Sequence, residues 1–485
     1  METSLKPIPA EQTMATDGDT SVPTRWALAS LALAMLMSSL SISSANVALP
    51  TIAQAFAASF GTVQWVVLAY LLAVTVFSVG AGRLADIVGP RRVLLAGILV
   101  FTAASAACAA APTLAVLVVA RGLQGLGGAV LLALTVAMVR ATVPRQRTGS
   151  AMGLLGTMSA VGTALGPSLG GALIAGAGWR SIFLVMVPMG CLAAVLCLRH
   201  LPRDRQAGRP DRKAFDATGT LVLTLTLVAY ALSTTTGIDI GGGTTVLVAA
   251  SIAGAILFLR IEARAASPLI DPKTFADPAL RSGLAANLLV SAVMMATFLV
   301  GPFYLSRSLG LGEATVGLVM SVGPTVSALT GIPAGRIVDR FGAPRVVVFG
   351  LVEMATGALL LALLPGIAGV AGYVTALAVL TPGYQLFLAA NNTAVMTGGA
   401  EDRRGVVSGM LSLSRNLGFI TGASVLGAVF AFGAAAPVAS ASGEAVAAGL
   451  RLTFLVAAGL MAIALVLMLR SRGVDRRATS APEDA

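Results

Sequence analysis

Apolar stretches of about twenty residues recur along this chain almost without a break. Each is separated from the next by a short run rich in Gly, Pro and charge. A helix needs about 20 apolar residues to cross a hydrocarbon core of about 30 Å. On that rule the pattern predicts fourteen spanning helices, at 26–48, 62–82, 92–110, 114–138, 149–176, 180–199, 217–235, 244–262, 282–306, 313–334, 345–365, 370–397, 405–433 and 449–471. The fold class is therefore an all-α polytopic membrane protein. Composition agrees: 56% of the 485 residues are hydrophobic and 11% are charged, where soluble chains carry about a quarter charged.

Thirty-two Lys and Arg against 21 Asp and Glu give a net charge of +11. On one exposed patch that excess would suggest a nucleic-acid partner. Here it alternates with the spans instead. Arg180, Arg307 and Arg451 fall in one set of loops, Arg121 and Arg415 fall inside spans, and the other Lys and Arg fall in the opposite set of loops and the termini. By the positive-inside rule this predicts both termini on the cytoplasmic side of a bacterial inner membrane, with the lipid bilayer as the chain's surroundings. No nucleic-acid partner is expected. The first residues, with Glu2, Glu11, Asp17 and Asp19, lack the form of a cleaved signal, so the first span is expected to serve as an uncleaved one. Cys108, Cys191 and Cys197 have neither metal-ligand spacing nor an even number to pair. No metal, cofactor or enzymatic cluster is expected, and the chain is expected to work as a monomer.

The segment Gly82-Arg-Leu-Ala-Asp-Ile-Val-Gly-Pro-Arg-Arg92 recurs as Gly335-Arg-Ile-Val-Asp-Arg-Phe-Gly-Ala-Pro-Arg345. Gly82, Arg83, Asp86, Gly89 and Arg92 match Gly335, Arg336, Asp339, Gly342 and Arg345, and Arg91 stands beside them. Two related halves in parallel orientation explain the repeat. Six helices per half leave a surplus, which matches the seventh and eighth spans between the two longest charged inner loops. The expected organisation is a tail (1–25), a six-helix bundle (26–199), loops with an inserted hairpin (200–281), a second six-helix bundle (282–471) and a tail (472–485).

With these repeats the chain resembles a major facilitator superfamily transporter over nearly its whole length, specifically the fourteen-helix drug:proton antiporter subfamily. The resemblance implies that the repeated loop is a conformational latch. Asp86, acceptor-only, would meet a helix amino terminus or an arginine, and Asp339 would do the same in the second half. The loop's plainer role is to satisfy helix ends. In the fourth span, Arg121, Gln124 and Gly125 resemble the family's second motif. Seven residues from the outer end at 1.5 Å each place Arg121 about 10 Å deep, where a guanidinium requires partners. It is expected either to tune a neighbouring carboxyl or hold an anionic substrate group, or else to be satisfied by carbonyls. Gly162, Gly166, Pro167, Gly170 and Gly171 resemble the motif of the superfamily's antiporters. The spacing also makes a bare stripe for close helix packing.

The subfamily usually carries an aspartate on the first helix ahead of an Asn-Val-Ala-Leu-Pro ending. Here Asn46 to Pro50 supplies the ending, but Ser41 occupies the acidic position and cannot carry a proton. Glu353, about 12 Å from the inner end of its span, is the alternative proton carrier, or a glutamic acid at a helix contact. Residues expected along a substrate cavity, with interhelical hydrogen bonding as the alternative, are Ser41, Asn46, Gln64, Trp65, Tyr70, Asn287, Tyr304, Tyr384, Gln385, Asn391 and Asn392. Arg415 shares the ambiguity of Arg121. The function implied is export of an amphipathic drug or secondary metabolite by alternating access, coupled to the proton gradient. Uncoupled export of an endogenous metabolite is the alternative that Ser41 favours.

Overall fold

The computed structural model describes residues 22–144, 147–202, 204, 217–235, 242–262, 277–397, 404–435 and 441–479. All regular structure among them is helical. In chain order the helices are α1 (Val22–Ala55), α2 (Phe60–Val63), α3 (Trp65–Val88), α4 (Pro90–Ala110), α5 (Leu114–Thr142), α6 (Thr148–Ala177), α7 (Ser181–Leu184), α8 (Met186–His200), α9 (Ala217–Thr235), α10 (Gly242–Glu262), α11 (Pro278–Phe303), α12 (Glu313–Met320), α13 (Val322–Phe341), α14 (Ala343–Thr397), α15 (Arg404–Thr421), α16 (Gly427–Gly433) and α17 (Gly443–Thr479). Single π-helical turns, Tyr304–Ser308 and Gly422–Leu426, extend α11 and join α15 to α16.

Local chemistry sets many of the helix starts. Thr113 and Ser59 accept hydrogen bonds from the amides of Val116 and Thr62 at 3.3 and 3.2 Å. Asp277 accepts from Ala279 at 2.8 Å ahead of Pro278. These are N-caps that satisfy amides the helix leaves free. The first span was expected to end near 48, ahead of Pro50, but α1 continues to Ala55. One proline removes a single backbone hydrogen bond, and five further residues continue past it.

Twelve helices among the described residues are long and apolar enough to span. The longest, α14, leaves helical geometry at Gly369 (φ 53°, ψ −126°). Gly350 there packs against Phe387 and Gly357 against Leu380, so its two arms run antiparallel. Its two arms match two of the fourteen expected spans, whereas α9, paired with α10, is apolar only over the shorter stretch Thr218–Ser233.

The inserted pair sits asymmetrically. Helix α9 packs against α3 and against the Gly422–Leu426 turn, and its Tyr230 hydroxyl donates to Thr421 Oγ1 at 3.1 Å. Helix α10 leaves nearly all of its span outside the protein interior.

The bundle has a basic end, holding Arg91, Arg199, Arg281 and Arg345, and a nearly neutral end, holding the turns at 56–59, 111–113 and 309–312. There Arg180, Arg307 and Arg451 are joined by Glu313 and Glu444. Its buried apolar side chains fall into two main cores. One contains the neutral-end part of the first half (Val47 to Leu72, Cys108 to Ala120, Ile174 to Phe183) together with the second half. The other is built from the basic-end part of the first half alone. The halves are therefore fused at the neutral end and hold separate cores toward the basic end.

Candidate functional site

Arg121 is the largest fully buried side chain, 1% exposed, on the face of α5 turned toward α1 and α3. Its Nε donates to the Val66 carbonyl at 2.9 Å, and its Nη1 to Ser41 Oγ at 3.1 Å and to Gln124 Oε1 at 2.6 Å. Gln124 passes the chain on, donating from Nε2 to Ser105 Oγ at 2.7 Å, which donates to the Phe101 carbonyl at 2.6 Å. The guanidinium carbon lies 4.5 Å from the centre of the Tyr70 ring and 5.7 Å from that of Phe183, within cation–π range. Tyr70 is held in turn by a 3.3 Å hydrogen bond with Ser38. The expected neighbouring carboxyl is not found among the described residues: a carbonyl, a hydroxyl, an amide and two rings surround the charge. Ser41, at the position where the resemblance expects an acid, touches the guanidinium directly.

Helix α6 lies along α1 through its glycine stripe. A Cβ on Gly162 would meet the Leu36 carbonyl at 2.8 Å, one on Gly166 would collide with Ser43, and one on Gly170 would meet Ser44 at 3.2 Å. Gly171 turns instead to the other half, where a Cβ would lie 2.9 Å from Gly317 Cα; a Cβ on Gly317 would run into the Pro167 carbonyl. The stripe thus does two things: it seats α6 on the serine face of α1, and it lets α6 and α12 touch backbone to backbone across the seam. Beside that contact, Phe60 of the first half stacks edge-on against Phe303 at 4.9 Å and tilts against Phe430 at 5.1 Å.

Most of the amide and phenol groups expected to face substrate tie helices together instead. Asn287 Nδ2 donates to the Leu411 carbonyl at 2.9 Å, Asn391 Nδ2 to the Gly283 carbonyl at 3.3 Å, and the Tyr304 hydroxyl to the Pro365 carbonyl at 3.0 Å. Gln385 donates to Ser327. Asn46 Nδ2 bonds back to the Ile42 carbonyl at 3.0 Å. Burial in a bilayer explains the pairing, since unpaired amides are costly there. Spare polar atoms remain: Asn46 Oδ1, Gln64 Oε1 and Asn391 Oδ1 are buried without a hydrogen-bond partner. Trp65, Tyr384, Asn392 and Arg415 are half-buried. Glu353 packs on Gly383 across the α14 hairpin with Oε2 buried and unpartnered.

Residues 31–423 match the Major Facilitator Superfamily model. The chain belongs to that superfamily. This transporter is 33% identical to multidrug resistance protein Stp of Mycobacterium tuberculosis over 80% of its own length and 72% of Stp. It is 29% identical to the riboflavin transporter RibZ of Clostridioides difficile, over 83% and 87% of the two chains. Its fold is that of a peptide transporter of the POT family solved with sulfate, at a TM-score of 0.70 and 15% identity, over 93% of this chain and 94% of that one. It is a multi-pass membrane transporter and not an enzyme.

At the basic end of the transporter, α3 stops at Gly89 with φ 107°, a conformation that favours glycine. The α4 amino terminus that follows is capped by Asp204, which accepts from the amides of Arg91 at 2.9 Å and Arg92 at 3.2 Å. Arg91 also donates to the Leu198 carbonyl, while the side chain of Arg92 is 76% exposed. Asp204 is thus the carboxylate that meets a helix end here, and nothing in the spacing of the repeat points to it. Gly82 lies within α3 with open space beside it. The side chains of Arg83 and Asp86 lie outside those described. In the second copy, Gly335 lies within α13 and Gly342 ends that helix with φ 80°. Arg336, Asp339 and Arg345 are exposed, and no hydrogen bond or ion pair holds them among the described residues. Asp204→Ala removes a charged cap, a change that costs about 0.5–2 kcal/mol. The melting temperature in detergent is expected to fall, whereas Asp339→Ala should leave it unchanged.

Proposed function

We propose that this transporter exports amphipathic organic compounds, drugs or secondary metabolites, by alternating access, as a fourteen-helix member of its superfamily. The observation that carries the reading is the seam: glycine backbones and the Phe60, Phe303 and Phe430 rings join the halves at the neutral end, while the basic-end cores stay separate. With the basic end assigned to the cytoplasm by the positive-inside rule, the joined end faces outward and the end with separate cores faces the cell interior, which supports an inward-facing state in the proposed cycle. Kinship with Stp supports drugs as cargo, and kinship with RibZ supports metabolites.

The proton gradient is the proposed energy source. Among the described residues Glu353 is the only carboxylate inside a span and away from helix ends, so it is the proposed carrier. Its test is Glu353→Gln in proteoliposomes under an imposed pH gradient: gradient-driven flux should fall to the level seen with the gradient collapsed, and unchanged flux removes the role. A second reading, export without protons, is favoured by the contact of Ser41 with Arg121, where no carboxylate among the described residues faces the charge. Equal flux with and without a pH gradient in the unmodified protein establishes that reading and rejects the first.

A further inference from the structure

The charge balance of the membrane interior is the unexplained feature of this molecule. From residue 20 to residue 203 the chain contains one acidic residue, Asp86, near the basic end of α3. The first half therefore buries the Arg121 guanidinium with no carboxylate in any span except at that helix end. Everything it bonds is neutral. The second half repeats the situation. Arg415, eleven residues into α15 and so about 16 Å along it, is half-buried. It makes no hydrogen bond or ion pair among the described residues. Glu353 does not neutralise either arginine: it sits against Gly383, between the arms of α14, and forms no salt bridge.

A buried cation without a counter-charge is expensive, and arginine cannot escape by losing its proton. Arg121 is fully buried and Arg415 half-buried, both near the middle of the bilayer and on helices that belong to different sides of the seam. Neutral acceptors lower the cost at Arg121 without cancelling the field. The missing partner is an anion that arrives and leaves.

We infer that the cargo is an organic anion, a compound bearing a carboxylate or sulfonate on an apolar body, whose charged group is drawn to the midplane by Arg121 and Arg415. This rests on the export reading above and names the substrate class of the same passage. The guanidinium fork suits such groups in two-pronged fashion. In a cell negative inside, outward movement of an anion runs with the membrane potential.

Two substitutions of opposite sense test it. Ser41→Asp places a permanent carboxylate against Arg121, and Arg415→Gln removes the other cation while keeping a polar, uncharged side chain. Purified full-length protein in liposomes is assayed with three probes: carboxyfluorescein as the anion, a rhodamine methyl ester as the cation and riboflavin as the uncharged compound. The unmodified protein should move the anion at least about tenfold faster than the cation. Each variant, confirmed monodisperse in detergent, should reduce the ratio of anion to uncharged flux about tenfold, a change of about 1.4 kcal/mol. Ser41→Asp should also raise cation flux. Movement of the cation or riboflavin without the anion overturns the inference and leaves export standing. An anion preference that survives in both variants also overturns it, because the arginines are then not its source. Failure of every probe to move overturns export itself.

Discussion

Arg121→Lys is expected to abolish most transport while leaving a protein that inserts and purifies normally. Lysine keeps the positive charge but replaces a planar fork by a point charge. The arginine holds three acceptors on two sides at once: Val66 through Nε, and Ser41 and Gln124 through Nη1. An ammonium on a flexible stem does not reproduce that geometry, and hydrogen bonds to charged groups contribute about 1.5–3 kcal/mol each. Losing one or two lowers flux by roughly tenfold or more, since about 1.4 kcal/mol is a factor of ten. The Gln124–Ser105 relay would lose its anchor as well. Flux per folded protein, compared with Gln124→Ala and Ser41→Ala, is the measurement. Full activity in the lysine variant would mean that only the charge, and not the fork, matters.

A comparable loss is expected for Gly171→Leu and for Gly317→Leu, for a different reason. A first side-chain atom at Gly171 would already lie 2.5 Å from the Glu313 carbonyl and 2.9 Å from Gly317 Cα. Those neighbours are backbone, and backbone in a packed helix pair yields only by moving the helix. Because α6 and α12 belong to different halves, the movement opens the neutral end. Both variants should therefore lose transport, and a cysteine at Phe60, in a background without the native thiols, should become reactive toward a membrane-impermeant reagent. Gly176, on the same helix with open space beside it, provides the control: Gly176→Leu should change neither reading. If Gly171→Leu transports normally, the glycine contact is not part of the closed arrangement.

How far these features were legible in the sequence depends on how local the physics is. Span positions were readable because a fixed hydrocarbon thickness acts on each segment separately. The split of the longest helix near 365–370 was readable too, and Gly369 is where it turns. The depth of Arg121 followed from counting residues. Its surroundings followed only in part: Ser41 at the acidic position and bonding to carbonyls were readable, but that Ser41 and the Val66 carbonyl reach the guanidinium from α1 and α3 is encoded by no spacing on α5. The same holds for the seam. The run Gly162, Gly166, Gly170 announces a smooth helix face, but that Gly171 turns away from it to meet Gly317 requires knowing which helix of the other half lies opposite. Asp204 was invisible for a third reason. One acid in a charged loop after α8 looks like any other until the chain path brings it beneath α4. Amides such as Asn287 and Gln385 were visible as costly groups, but whether cargo or a neighbouring helix satisfies them is decided by orientation.

The placement of α9 has a bearing on how far the machine can swing. It touches α3 on one side and the Gly422–Leu426 turn on the other, with Tyr230 fastened to Thr421. If the halves rotate against each other, as the proposed cycle requires, that fastening must break or α9 must ride with α15 while gliding over α3. On the proposed alternating-access cycle, α9 would brace one flank of the molecule, while α10 stands almost wholly outside the protein interior.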